Sequence, residues 1–190
     1  MRKYLIISLL ASYSIIFAGE SEDFKAVDNL YKERNFKAAL VESEKFLQKY
    51  PESKHQKSMR DKVAKIYFLE KNYKKAEEIF KKLFMMEEKQ SQKDEYASYL
   101  ARANALLNNS DSAMFYVKEI KDKKVFQKTF FAVAQNFLAK ENNEAALKAY
   151  KEIIDNKYES YKESMMGLGI VYYNLKDYDK AIYWLSEYSK

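Results

Sequence analysis

Apolar residues recur with helical periodicity along most of the chain. Ala76, Ile79, Phe80, Leu83 and Phe84 fall at positions i, i+3, i+4, i+7 and i+8, which places them on one face of a helix. The pattern predicts five pairs of helices. The first helices of the pairs are expected near 22–33, 55–70, 93–107, 125–140 and 160–175, and the second helices near 37–49, 74–86, 111–121, 143–155 and 179–189.

Each predicted pair is joined by a turn that contains Asn or Asp, and an Ala follows four residues later. The turn residues are Asn35, Asn72, Asn109, Asn142 and Asp177, and the alanines are Ala39, Ala76, Ala113, Ala146 and Ala181. Asn tolerates a left-handed backbone, so we expect it to end the first helix of each pair. The units recur about every 34 residues, which indicates a repeat protein.

Two copies of the unit carry a specific motif. The fifth copy contains Leu168-Gly169-Ile170-Val171-Tyr172 and then Ala181 and Leu185, and the second contains Val63-Ala64-Lys65-Ile66-Tyr67 and then Ala76 and Phe80. The motif resembles that of the tetratricopeptide repeat (TPR) family, Leu-Gly-x-x-Tyr, Ala-x-x-x-Phe and Pro. Pro51 supplies the closing proline of the first copy. The resemblance covers about residues 21–189.

The resemblance implies an all-α fold, a right-handed α-solenoid of about five helix hairpins formed by residues 19–190. The repeats are expected near 21–53, 54–90, 91–123, 124–157 and 158–190. Small residues at Ala64, Ala134 and Gly169 are expected where the two helices of a hairpin cross closely.

Members of the family bind their ligands in a concave groove lined by the first helices. Carried over by register, the groove here would mix charged, amide and aromatic groups, which suits an extended peptide or a partner helix. Asp28 and Ile170 occupy places where a clamp for a C-terminal carboxylate needs polar or basic donors, so we expect no chaperone-tail ligand. The predicted groove residues are Asp28, Tyr31, Lys65, Phe68, Ser98, Arg102, Phe131, Gln135, Leu138, Ile170, Tyr173 and Asn174.

The step Tyr50-Pro51-Glu52-Ser53 after the first hairpin is similar to that of periplasmic and envelope members of the family. Examples are the TPR lipoprotein of the outer-membrane β-barrel assembly machinery and the Tol–Pal-associated cell-division coordinator. A lipoprotein needs a Cys at its cleavage point, and this chain contains no Cys, so we expect no direct lipid anchor.

Residues 1–18 have the three-part pattern of a secretory signal peptide. Arg2 and Lys3 precede an uncharged, mostly apolar run from Tyr4 to Ala18, and Gly19 follows. The run is shorter than the roughly 20 residues of a membrane span. We therefore expect cleavage after Ala18 and a periplasmic or secreted protein, with a retained membrane tether as the alternative.

The composition argues against most kinds of chemistry. With no Cys, one His and three Gly, the chain has no thiol or disulfide chemistry, no His-cluster metal site and few residues for a phosphate-binding loop. Its 34 Lys and Arg are interleaved with 28 Asp and Glu, which indicates solvated helix faces rather than a basic nucleic-acid stripe. We expect no enzyme activity, cofactor or metal.

Other polar and apolar residues are assigned structural roles. His55 is expected in a surface loop. The pairs Met85-Met86 and Met165-Met166 are expected to fill the core, with an adaptable binding surface as the alternative. Aromatic residues are expected mainly in the repeat core, with a surface that stacks on sugars or peptides as the alternative. Those assigned to the core are Tyr67, Tyr73, Phe80, Phe137, Tyr150, Tyr172 and Tyr178.

These features point to a scaffold for protein–protein interaction in the bacterial cell envelope. The alternative is a non-catalytic superhelical arm or fragment of a larger envelope enzyme or assembly complex. The last predicted helix would leave Ile182, Leu185 and Tyr188 partly uncovered, so we expect further repeats, a partner or a second copy at that end.

Signal-peptide cleavage gives the first test. If residues 1–18 are removed on export, N-terminal sequencing of the exported protein should start at Gly19, because the small residue Ala18 closes the apolar run. A chain that retains Met1 and sediments with membranes would support the tether instead.

Overall fold

The structure is a computed structural model that describes residues 19–190. The predicted signal peptide, residues 1–18, lies outside the described residues. Ten helices and no strand lie within 19–190, so the described chain is all-α. In this part of the chain, no helix combines the length and the apolar character needed to span a membrane.

The helices agree with the predicted pairs to within a few residues at each end. Each pair consists of an odd-numbered first helix and an even-numbered second helix. The helices are α1 (19–32), α2 (Phe36–Lys49), α3 (Gln56–Leu69), α4 (Tyr73–Met86), α5 (Gln90–Leu106), α6 (Ser110–Glu119), α7 (Lys123–Ala139), α8 (Asn143–Asp155), α9 (Tyr161–Asn174) and α10 (Tyr178–Tyr188).

The turn residues begin the second helices and do not take the left-handed conformation, so that expectation was wrong. The side chains of Asn35, Asn72, Asn142 and Asp177 each accept a hydrogen bond from the backbone N–H three residues later. Such an N-cap stabilises a helix by about 1 kcal/mol. Asn109 also precedes its helix, but its side chain makes no cap hydrogen bond.

The residue before each turn Asn or Asp adopts the left-handed conformation instead. In the first hairpin, the N–H of Asn35 donates to the carbonyl of Leu30 and the N–H of Arg34 donates to that of Tyr31. This is the Schellman arrangement, which requires a left-handed residue at the position that Arg34 occupies. The five residues and their φ values are Arg34 (60°), Lys71 (60°), Asn108 (64°), Glu141 (58°) and Lys176 (62°).

The chain divides into two compact units, the first ending at Glu70 and the second running from Lys71 to Lys190. In the first unit, Val27, Phe46, Tyr50 and Met59 form a buried apolar cluster. His55 is half-buried in the loop before α3, and its ring stacks on Phe24 with centroids 4.0 Å apart. The unit therefore uses its single histidine partly for packing.

In the second unit, every helix packs on its neighbours in the chain. The first helices α5, α7 and α9 also lie side by side, with α5 against α7 and α7 against α9. The second helices α6 and α8 each contact the first helix before and the first helix after them, and α10 packs on α9. This arrangement brings one face of α7 next to one face of α9.

Gly169 lies at a close helix crossing, as predicted. Ala64 and Ala134 are fully buried. A Cβ atom added to Gly169 would lie 2.7 Å from Cγ of Leu185 on α10, too close for any real contact. Glycine at this position therefore allows α9 and α10 to approach each other.

The prediction that the methionine pairs fill the core was wrong for three of the four residues. Met85 and Met86 are 64% and 78% exposed, and Met166 is 39% exposed. The buried stripe of α4 ends at Leu83, and the two following methionines fall outside it. Met165 is half-buried.

A buried carboxylate fixes the loop that leads into α7. Asp94 on α5 is buried, and its two oxygens accept hydrogen bonds from the backbone N–H of Lys121 (3.1 Å) and of Asp122 (2.9 Å). The Nε2 of Gln90 also donates to Oδ1 of Asp94 at 2.7 Å. Asp122 in turn caps α7 by accepting from the N–H of Val125. The first residues of α7 are thus tied to α5.

Replacement of Asp94 tests this link. Asp94→Ala should lower the free energy of unfolding by about 1–3 kcal/mol, because two backbone N–H groups lose their hydrogen bonds to a buried carboxylate. Urea unfolding followed by circular dichroism measures the change. Asp155→Ala, an exposed acidic residue at the end of α8, is the matched control and should change stability by less than about 0.5 kcal/mol. Equal effects of the two substitutions would contradict the proposed role of Asp94.

Candidate functional site

In the first unit, two of the predicted groove residues lie together on α1. The carboxylate of Asp28 pairs with Nζ of Lys32 at 2.6 Å and with Nζ of Lys62 on α3 at 3.3 Å. The hydrogen bond from Lys32 is the main reason that the pKa of Asp28 lies below its usual range. Lys62 also lies 5.9 Å from the ring centroid of Tyr31. Sequence reasoning missed Lys62, which joins the two predicted residues.

The two predicted residues on α3 contribute little free surface. Nζ of Lys65 is 2.8 Å from Oδ2 of Asp61, one helical turn earlier, and both side chains are largely buried. Phe68 is buried. The first unit therefore offers a surface in which charges are already paired.

In the second unit, Ser98 and Arg102 lie on α5 beside α7. The hydroxyl of Thr129 donates to Oγ of Ser98 at 2.7 Å. The guanidinium of Arg102 lies 5.9 Å from the ring centroid of Tyr99. The backbone carbonyl of Arg102 accepts a hydrogen bond from Nδ2 of Asn136 at 3.4 Å. Both predicted residues thus take part in contacts that hold the first helices together.

Tyr173 and Asn174 lie at the end of α9. The Tyr173 side chain is exposed, and its ring centroid is 5.7 Å from that of Tyr178. Nδ2 of Asn174 donates to Oδ1 of Asn143 at the start of α8, at 3.2 Å. These two residues border the turn into α10.

The other four predicted residues meet in one cleft between α7 and α9. Phe131, Gln135 and Leu138 come from α7, and Ile170 comes from α9. The cleft has a volume of about 290 Å³. We call it the α7–α9 cleft. Its remaining lining residues are Ala139, Tyr150, Glu163, Met166 and Gly167.

A tyrosine from the second helix α8 reaches this cleft from below. Tyr150 is only 2% exposed, and its ring centroid is 6.3 Å from that of Phe131. A Cβ atom added to Gly167 would lie 2.4 Å from Cζ of Tyr150. Because Gly167 has no side chain, the hydroxyl-bearing end of the Tyr150 ring lies directly against the backbone of α9.

The Tyr150 hydroxyl makes no hydrogen bond to any residue between 19 and 190. Burial raises the pKa of Tyr150 to about 12. The phenol is therefore neutral at physiological pH. A neutral hydroxyl can both donate and accept a hydrogen bond.

Sequence reasoning identified four of the nine residues that line the cleft. The register of the repeat placed the four predicted residues on the inner face of α7 and α9, and the structure brings these four together. Tyr150 and Met166 were both assigned to the core. Met166 lies on the cleft surface, whereas Tyr150 is buried as predicted but also forms part of the cleft. The sequence signal that could have identified the role of Tyr150 in the cleft was Gly167. Two of the three glycines in the chain, Gly167 and Gly169, lie close together on this helix.

A second groove of about 410 Å³ lies between α6 and α8. Its lining alternates acidic and basic side chains, including Asp111, Lys118 and Glu152. Lys148 and Glu144 within it already pair with each other at 2.8 Å and are both exposed. This groove has the character of a solvated surface, so the α7–α9 cleft is the better candidate.

The α7–α9 cleft is suited to binding. Its ionisable groups are Glu163, which is exposed, and the neutral Tyr150. Between residues 19 and 190, no three His, Cys, Asp or Glu side chains lie close enough together to hold a metal ion. An apolar lining with a few polar groups is typical of ligand sites.

Replacement of Tyr150 tests whether its hydroxyl contributes to stability. Tyr150→Phe should leave the free energy of unfolding at pH 7 unchanged or slightly higher, because no hydrogen bond is lost. The folded state favours the neutral phenol, so this contribution is fully present below the unfolded pKa of about 10 and is lost as the pH rises toward 12. Wild type should therefore lose more stability than Tyr150→Phe between pH 9 and 12, as measured by urea unfolding. Parallel losses would show that the Tyr150 phenol is not buried.

Comparisons with known proteins agree with the fold. Residues 131–189 match the model of the tetratricopeptide repeat family. No curated protein matches the chain. The crystal structure of MamA is similar with a TM-score of 0.65 and 16% identity, over 89% of this chain and 89% of that chain.

Two further solved structures are similar over most of their length. A Podosopora anserina protein with nearly identical TPR-like repeats has a TM-score of 0.63 and 11% identity, covering 89% of this chain and 92% of that chain. YrrB has a TM-score of 0.58 and 15% identity, covering 85% of this chain and 80% of that chain. The chain therefore has an all-α, TPR-like fold, and residues 131–189 carry the sequence pattern of the tetratricopeptide repeat.

Proposed function

We propose that the protein is a non-catalytic scaffold that binds an extended peptide or a partner helix in the α7–α9 cleft. The observation that carries the proposal is the cleft itself, where four residues predicted from the repeat register meet around one apolar space. TPR-type scaffolds act through protein–protein interaction, and YrrB is a TPR protein with an unusual peptide-binding site.

The lining of the cleft suits a peptide. Phe131, Leu138 and Ile170 supply apolar surface for one inserted side chain. Gln135 and Glu163 are exposed beside them and supply an amide and a carboxylate for hydrogen bonds to the polar groups of the ligand. Such an arrangement combines an apolar anchor with polar contacts that set the orientation of the ligand.

The proposal places the protein in the cell envelope after export. Its support is the sequence pattern of residues 1–18. Envelope location, partner binding and the lack of catalysis together form the proposed role.

The last helix, α10, carries the apolar residues that the sequence predicts to be partly uncovered. Ile182, Leu185 and Tyr188 on α10 are 65%, 42% and 40% exposed. Further repeats, a partner or a second copy at this surface stay predictions.

A peptide library displayed on phage tests the proposed site. Peptides enriched on wild-type protein should bind Ile170→Glu at least about tenfold more weakly, because the new carboxylate would lie in an apolar cleft. Fluorescence anisotropy with a labelled, enriched peptide measures the affinity.

Val41→Glu is the control. Val41 is an exposed apolar residue of α2 that does not line the cleft, so its replacement should change affinity by less than about twofold. Peptides that bind Ile170→Glu as tightly as wild type, with helicity unchanged, would contradict the assignment of the cleft.

A further inference from the structure

Two equivalent contacts between a second helix and the next first helix in the second unit differ in both residues. Phe80 and Tyr150 each lie four residues after the repeat alanine, and Tyr99 and Gly167 each lie ten residues before the turn Asn or Asp. Tyr99 stacks on Phe80 with centroids 4.5 Å apart. At the equivalent place, Tyr150 meets only the backbone of Gly167.

The glycine determines where the Tyr150 hydroxyl lies. The three atoms nearest to a Cβ at position 167 are Cζ, Cε1 and Cε2 of Tyr150, which form the hydroxyl end of the ring. Both Gly167 and Tyr150 line the α7–α9 cleft. The hydroxyl end of the ring therefore lies at the floor of the cleft, below Phe131 and Ile170.

This arrangement has a cost in the free protein. Gly in a helix interior is less favourable than Ala by about 1 kcal/mol. The Tyr150 hydroxyl has no hydrogen-bond partner among residues 19–190, but it is not among the buried side-chain atoms that are cut off from solvent, so it opens into the cleft. A phenylalanine, as at Phe80, would fill the same place without a polar group, so the hydroxyl is available to a ligand.

We infer that the Tyr150 hydroxyl recognises the tip of the anchor side chain that a bound peptide inserts into the cleft. This inference rests on the proposed function. The anchor has an apolar body, which contacts Phe131, Leu138 and Ile170, and a neutral hydrogen-bonding tip such as a phenol hydroxyl.

The chemistry of the floor selects this class of side chain. An ionised tip at the floor would meet the neutral Tyr150 phenol rather than a counter-charge, and a negatively charged tip would also share the cleft with the Glu163 carboxylate. A purely apolar tip would leave the Tyr150 hydroxyl without a hydrogen bond. The volume of about 290 Å³ lies at the lower limit for ligand pockets and suits one side chain rather than a larger molecule.

Titration with two small probes tests the inference. p-Cresol and toluene share an apolar ring, and only p-cresol carries the hydroxyl. Both are titrated into wild type and Tyr150→Phe, with binding followed by NMR shifts of the Leu138 and Ile170 methyl groups. Tyr150→Phe should weaken p-cresol binding by about 2- to 12-fold, the value of one hydrogen bond, and leave toluene binding unchanged or slightly stronger.

Control variants separate the possible outcomes. Tyr178→Phe removes an exposed hydroxyl outside the cleft and should change neither probe's affinity. Gly167→Ala should weaken the binding of both probes, because the added Cβ must displace the Tyr150 ring.

If Tyr150→Phe affects the binding of both probes equally or affects neither, the inference about the hydroxyl is overturned while the cleft stands. If neither probe shifts the cleft methyl groups in wild type, the cleft as a binding site is overturned as well.

Discussion

The structure of residues 71–190 depends on burial of each helix's apolar stripe by the helices that follow and precede it. Ala146, Tyr150 and Ile153 of α8 are buried where α8 packs between α7 and α9. Burial of apolar surface contributes roughly 25 cal/mol per Å², so a helix removed from its neighbours loses most of its stabilisation. Repeat proteins are stabilised in this way by contacts between adjacent units.

This dependence explains why the helices could be predicted from the sequence. Residues such as Ala76, Phe80 and Leu83 repeat with the period of a helix because one face of α4 is always buried. Turn chemistry was predicted only in part. Asn and Asp mark the turns, but they do so as N-caps, and the left-handed position goes to residues such as Arg34 and Lys71, whose side chains give no sign of it. Their conformation follows from the Schellman hydrogen bonds.

Residues of the cleft were predicted correctly where their position on a helix determines whether the side chain is exposed. They were missed where contact with a neighbouring helix determines which part of the side chain reaches the cleft. Phe131 and Ile170 face the cleft because of their positions on α7 and α9. Tyr150 occupies a position of the repeat that is Phe80 in one hairpin and Leu185 in another, so its sequence context predicts a core residue. Only the contact with Gly167, across the interface of α8 and α9, brings its hydroxyl end to the cleft. Contacts of this kind depend on tertiary packing, which the periodicity of a single helix does not reveal.

The hydrogen bonds of Asp94 have a consequence for how the second unit opens. Lys121 and Asp122 lie in a loop, where backbone N–H groups normally exchange quickly with solvent. Here both N–H groups are held by a buried carboxylate of α5. Exchange at these two amides therefore requires α5 and the α6–α7 loop to separate, and their protection against deuterium reports on the cooperative opening of α5, α6 and α7 as one unit.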